Sequence, residues 1–443
     1  MARVQGRYGR AVPAQVVSRM SAPWFAMIPV ERLQWAQYRL VANHQPQLPR
    51  RRYPFFGHAR AVAIFATEPY SKPMTNETHV DAVPRNSGID VVRIFLTMLV
   101  ILHHTAIEYG GSGGWFWREQ PNASNPVLVM FNAINQSYFM GLFFLLAGYY
   151  TPGSFDRKGP RHYLADRLVR LGVPLFAFFF VLYPLTEALA ATSGTTGLMD
   201  RWLARVAYGP RGPGPLWFAI ALLIFATTYA AGQALRRHPA TPAIDLPSWR
   251  VILLAIVSIG LSAFAVRLVM PVGCEILWLQ LGFFPSYIVL FAAGAAAAPK
   301  RLIERVTVRE ALPWLALTTL ALASLPLMVM TQGVSGGFEG GMNFNALYYA
   351  LWEPCVATGV ILGLLAWANS RRHTTGPVTS WVATSAFGAF ILHPPVLVAL
   401  SVMAASWPVA PWIKFFVVGA AACGASFGLA GIARSIPGVR RII

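Results

Sequence analysis

The chain has 443 residues, 56% hydrophobic and only 12% charged, with a mean hydropathy of +0.50, which is the profile of a polytopic membrane protein and not of a soluble domain. A formal net charge of +19 would suit nucleic acid, but the basic residues sit in an N-terminal tail and in short stretches between apolar segments, with no basic helix among them, so no nucleic-acid partner is expected. The three cysteines, Cys274, Cys355 and Cys423, show no metal-ligand or disulfide spacing, and no metal site is expected.

Residues 1–85 read as a basic N-terminal extension. Residues 1–73 hold eleven Lys/Arg, Arg50-Arg51-Arg52 among them, and two acidic residues. Their longest apolar run is Ala61-Val-Ala-Ile-Phe-Ala66, too short for a signal-peptide core, so a cleaved secretory leader is not expected. A disordered cytoplasmic tail, an upstream start codon ahead of Met74, and an organelle transit peptide all suit this composition.

Ten apolar segments follow, at about 90–108, 134–151, 171–190, 215–234, 251–270, 278–298, 311–330, 345–367, 383–404 and 411–432. They predict an all-α bundle of about ten transmembrane helices over residues 86–434, with a short tail at 435–443. If the N-terminus is cytoplasmic, the inside connections hold seventeen Lys/Arg and the outside ones four, a bias that favours both termini on the cytoplasmic side. No internal repeat of the inverted-transporter kind is visible.

The first segment, Asp90-Val-Val-Arg93 through Thr97 to His103-His104-Thr-Ala-Ile-Glu108, carries the chemistry. Arg93 and His104 lie eleven residues apart, so on a helix they differ by only about 20° around the axis. Asp90, Thr97 and Glu108 fall within about 60° of the same line. Ionisable groups at membrane depth are costly and normally face a protein interior or a watery site. A neutral imidazole can take a proton from a hydroxyl, as acyl transfer requires, and Glu108 one turn on can orient it or contact an acceptor. His103 points about 100° away and reads as structural. Arg93 is too far from His104 to touch the same atom, so the stripe suits a long thin ligand, charged at one end and reactive at the other.

Further along, Asp156 to Pro174 reads as an inside loop in which Arg167 and Arg170, at i and i+3, abut the third span. Paired guanidiniums suit a phosphorylated ligand, whereas Arg157, Lys158 and Arg161 read as ordinary positive-inside charge. Loop 109–133, with Gly110-Gly111-Ser-Gly113-Gly114-Trp115-Phe-Trp117, can meet a sugar face or anchor at the interface. Ala147-Gly148 permits close helix packing. Trp217 reads as an interfacial anchor, Glu187 and Glu353 as carboxylates within spans, and His393-Pro394-Pro395 as a helix break beside a site.

Taken in order, Gly88-Ile-Asp90-Val-Val-Arg93 with His104, Phe143-Phe144-Leu-Leu-Ala147-Gly148, Asp166-Arg167-Leu-Val-Arg170-Leu-Gly-Val-Pro174, Leu216-Trp217-Phe218, Gly282-Phe-Phe-Pro285-Ser-Tyr287-Ile with Phe291-Ala-Ala-Gly294, Leu351-Trp352-Glu353, and Ser385-Ala-Phe-Gly388-Ala-Phe-Ile-Leu-His393-Pro-Pro resemble membrane acyltransferase family 3, and within it a branch that acts in glucan biosynthesis. The resemblance covers about residues 86–434. It implies a multi-pass enzyme of the cell inner membrane that moves an acyl group, acetyl or succinyl, from cytosolic acyl-CoA to a hydroxyl of a glycan or lipid-linked acceptor. Acyl-CoA would be a co-substrate, with no permanently bound cofactor, and membrane lipids would be the surroundings. The resemblance matches His104 to the family's essential histidine, Arg93 to the arginine eleven residues before it, and Arg167 and Arg170 to a second basic motif serving the donor. Asp90, Trp217, Glu353 and His393 would line the site. The chain departs from the family at Ala147, where many members have serine, and at Phe387 and Phe390, where tyrosines are common.

On this reading Arg167 and Arg170, with Arg93, hold the CoA phosphates, and the pantetheine arm runs along the stripe to His104, which acts as base or carries the acyl group itself. The rivals are a proton-coupled exporter, which buried carboxylates and a histidine would also suit, and a receptor-like scaffold, which leaves Arg93 and His104 unexplained.

Overall fold

At membrane depth the backbone has no water to bond, so long apolar runs satisfy their polar groups as helices. Helices are what form. The computed structural model describes residues 87–443 apart from 192–195, 210, 236–244, 334–335 and 372–375. The basic extension expected at 1–85 lies outside the described residues. No strand occurs among those described.

The helices are α1 (Ser87–Glu108), α2 (Pro126–Arg167), α3 (Val173–Ala177), α4 (Tyr183–Ala190), α5 (Leu198–Ala207), α6 (Trp217–Leu235), α7 (Trp249–Val269), α8 (Phe284–Ala297), α9 (Val308–Gln332), α10 (Phe344–Ser370), α11 (Pro377–Ala404), α12 (Pro411–Ala433) and α13 (Val439–Ile442). Among the described residues eight stretches are long and apolar enough to cross a membrane, and one of them, Pro126–Ala190, holds two of the expected segments. A ninth helical stretch, Leu281–Ala297, is apolar but shorter. Each of the ten segments marked in the sequence therefore lies on helix.

The connection after the second segment is not the open loop expected. α2 runs on through it, broken only at Gly159, whose φ of 71° is open to glycine and strained for other residues. Pro160 restarts the helix, a place where its missing N–H costs nothing. Two π-helical turns, Leu168–Gly172 and Phe178–Leu182, then carry the chain through α3 into α4. Pro394 and Pro395 also behave differently from expectation, because α11 passes through both without a break.

α1 lies inside the bundle against α2, α10, α11 and α12. The most apolar window of α1 is 61% buried, whereas that of α9 is 11% buried, so α1 is enclosed by protein and α9 lies at the periphery. α2 and α8 approach closely at Gly148 and Gly294. A Cβ at Gly148 would collide with the backbone of Phe291, and one at Gly294 would stand 2.8 Å from the Tyr149 nitrogen. Gly294→Val is therefore expected to force the pair apart at a cost of about 1–3 kcal/mol, read as a lowered thermal unfolding midpoint in detergent. An unchanged midpoint would show that the crossing tolerates the added bulk.

Candidate active site

α1 brings His104 inward, and α11 meets it with His393. Nδ1 of His104 and Nε2 of His393 are 3.1 Å apart, with the rings nearly parallel at a centroid separation of 5.1 Å. The protonation pattern follows from the prolines. In a helix the N–H of residue 394 would donate to the carbonyl of Phe390, but Pro394 has no N–H. That carbonyl takes the Nδ1–H of His393 instead, at 2.7 Å. A carbonyl oxygen can only accept, so neutral His393 carries its proton on Nδ1 and presents a lone pair at Nε2. Nδ1–H of His104 donates to that lone pair, and the remaining nitrogen of His104, Nε2, is left unprotonated. His393 is fully buried, while His104 keeps partial exposure. The sequence placed both residues at the site; it did not show that they pair, because they lie 289 positions apart.

Glu108 does not contact His104 directly, which corrects the expected orienting bond. Its Oε1 accepts from Nε1 of Trp115 at 2.9 Å and its Oε2 accepts from the Ser401 hydroxyl of α11. The Trp115 indole in turn stacks on His104, with centroids 3.9 Å apart and planes 17° apart. Trp115 is thus folded into the bundle. His103 stacks on Phe139 of α2 at 5.0 Å, and its carbonyl accepts from Asn132 Nδ2.

At the other end of α1, Arg93 reaches Asp90 at 3.6 Å, and Thr97 donates to the Arg93 carbonyl. Arg167 and Arg170 do not converge as one fork. The guanidinium of Arg167 lies over the Tyr163 ring at 5.2 Å, with its Nε buried and making no hydrogen bond within the described chain. Arg170 extends to Asp166 at 3.5 Å, and Lys158 reaches the same carboxylate at 2.8 Å. The π-helical turn beginning at Leu168 widens the backbone between the two arginines and changes the helical register that the i, i+3 spacing assumed. α13 packs against this turn.

Glu353 and Trp217 belong to a second polar centre. Arg267 of α7, 1% exposed, donates from Nη2 to Glu353 Oε2 of α10 at 2.5 Å and from Nε to the Gly282 carbonyl at 3.2 Å. Its guanidinium also lies over the rings of Phe283 and Tyr349. Trp217, half-buried, stacks on Tyr287 at 5.8 Å. Glu187 pairs with Arg205 and Arg211. A cavity of about 10 Å³ sits beside Arg267 and Glu353, and an open apolar one beside Trp249 and Leu254. Neither is lined by His104, Arg93, Arg167 or Arg170, so neither supplies the lengthwise passage that the stripe on α1 led us to expect.

Arg267 and Lys414 were missed in the sequence, although each is an ionisable residue within an apolar run, the same signal that singled out Arg93. Lys414 of α12 is 2% exposed and holds the Glu119 carboxylate and, at 3.2 Å, the Ala405 carbonyl.

A multi-pass bundle with an inward histidine held as a base suits a membrane-embedded group-transfer enzyme. The family comparison agrees: the family model of acyltransferase 3, described as an acyltransferase domain, matches residues 86–431, and the chain belongs to that family. It is a multi-pass membrane protein of that family. It is similar to the glucans biosynthesis protein C of Salmonella typhi and to that of Salmonella typhimurium (strain LT2), each 26% identical over 151 residues, which is 32% of this chain and 38% of the relative. The match thus spans well under two thirds of either relative. No solved structure matches.

Proposed function

We propose that this enzyme moves an acyl group, acetyl or succinyl, from acyl-CoA to a hydroxyl of a glycan. The single observation that supports this most is the chain of hydrogen bonds from His104 through His393 to the Phe390 carbonyl, which leaves His104 Nε2 as the basic atom. In the reaction the acceptor oxygen attacks the thioester carbonyl carbon as its proton passes to Nε2. The C–S bond then breaks, and the departing thiolate takes that proton to leave as free CoA thiol. The transient imidazolium can share its charge through the Nδ1 proton with His393. A glycan acceptor is suggested by the glucans biosynthesis proteins that the chain resembles.

Arg167, whose Nε makes no bond within the described chain, is the natural holder of a CoA phosphate, with Arg170 in the turn after α2 and Arg93 near the start of α1 adding positive charge. The test is transfer in detergent-solubilised protein, where no gradient exists. Labelled acetyl-CoA and succinyl-CoA are offered in turn with an extract of membrane glycans, and label is expected to move covalently into the glycan. No covalent label in detergent, together with gradient-driven movement of solute in sealed vesicles, would instead make the protein an exporter.

A further inference from the structure

We propose that Trp115 is the positioning residue of the His104 base, and that Glu108 acts on the imidazole through it. The kinetic part of this inference rests on the acyl-transfer reading above. Trp115 is held from both ends. Its indole N–H donates to Glu108, whose other oxygen is bonded by Ser401 of α11, the helix that carries His393. The carboxylate therefore fixes the tryptophan and the second histidine's helix to one point. The indole covers one face of His104 at 3.9 Å and reaches over His393 as well at 5.8 Å, so the two imidazoles lie edge to edge beneath it. With one face under the indole and the Nδ1 edge bonded to His393, the Nε2 edge is the one left for a reacting hydroxyl.

The loop that carries Trp115 is built to hold it there. Gly110 and Gly113, with φ of 115° and 121°, turn the chain back on itself in conformations that other residues rarely adopt. Arg118 donates to the carbonyls of Gly111 and Gly113 at 2.5 and 3.4 Å. The Glu119 nitrogen donates to the Glu108 carbonyl at 3.0 Å, and the Glu119 carboxylate is held by buried Lys414 of α12. A loop that only joined two spans would have no need of a buried lysine to anchor it.

The test compares wild type, Trp115→Ala and Trp115→Phe in the full chain, reconstituted in lipid nanodiscs. Two readouts are taken. The first is the rate at which diethyl pyrocarbonate carbethoxylates His104, followed by peptide mass spectrometry, which needs no acyl donor. Removing the indole is expected to raise that rate several-fold, and phenylalanine, which restores the stacked ring, to bring it back toward wild type. The second is transfer from acetyl-CoA or succinyl-CoA to a short glucan oligosaccharide. The alanine variant is expected to lose about 10²-fold in kcat with KM for acyl-CoA unchanged, the penalty of an ill-placed base, and phenylalanine to recover part of that loss. A KM effect without a kcat effect, or equal carbethoxylation in wild type and Trp115→Ala, overturns the proposal. If wild type transfers neither acyl group, the acyl-transfer reading fails, and the carbethoxylation rates alone decide whether Trp115 positions His104.

Discussion

His104→Ala is expected to lower acyl transfer by about 10²- to 10⁴-fold, the range that a positioned general base contributes, while the protein stays inserted and folded. The side chain removed supplies the basic nitrogen, and its main packing partners, Trp115 and His393, are fixed by other bonds, to Glu108 and to the Phe390 carbonyl. His393→Ala should cost less. The base remains, but His104 loses the acceptor that holds its proton on Nδ1, a hydrogen bond worth about 1.5–3 kcal/mol once the ring is charged, or about 10- to 100-fold in rate. Initial rates in membranes, normalised to the amount of inserted protein, check both. Near-normal transfer by His104→Ala would remove this residue from the mechanism, whatever the rest of the bundle does.

The second large effect is on stability. Arg267→Ala or Glu353→Ala alone is expected to destabilise the bundle by about 3–5 kcal/mol, because each leaves its partner's charge buried and uncompensated. The pair bonds α7 to α10 at 2.5 Å, and neither partner makes another ion pair among the described residues. The double substitution Arg267→Met with Glu353→Leu is expected to recover most of the loss, since matched apolar groups often replace a buried ion pair at little cost. Thermal unfolding of the purified variants in one detergent reads the comparison. If the double variant is as unstable as the singles, the pair contributes more than mutual compensation, and the small cavity beside it becomes a candidate ligand site.

The helices and their approximate ends were legible in the sequence because hydropathy at membrane depth leaves the backbone one solution, and the family was legible in the ordered motifs from Gly88 to His393. The inward face of α1 was legible for the same reason: Arg93, His104 and Glu108 could not all face lipid. Other features were not, and the causes are specific. Glu108 sits one turn from His104, which suggested a direct bond, but the tryptophan that fills the space between them arrives from a glycine-rich loop that has no periodicity to read. The two histidines meet through tertiary packing across 289 positions, which spacing along one helix does not encode. Arg167 and Arg170 were assigned a common direction from α-helical geometry, and the π-helical turn between them invalidates that geometry. The double proline was read as a break because proline disrupts helices in water; here α11 continues and a side chain meets the carbonyl that Pro394 leaves unbonded.

That last feature gives an imino acid an indirect part in the chemistry. Pro394 touches no reacting atom, yet by lacking a hydrogen it vacates an oxygen one turn back, and that oxygen chooses which nitrogen of the neighbouring ring is acidic and which is basic. Any ordinary amino acid in its place would bring a backbone N–H to compete for the same oxygen, and the hold that fixes the polarity of the paired rings would weaken.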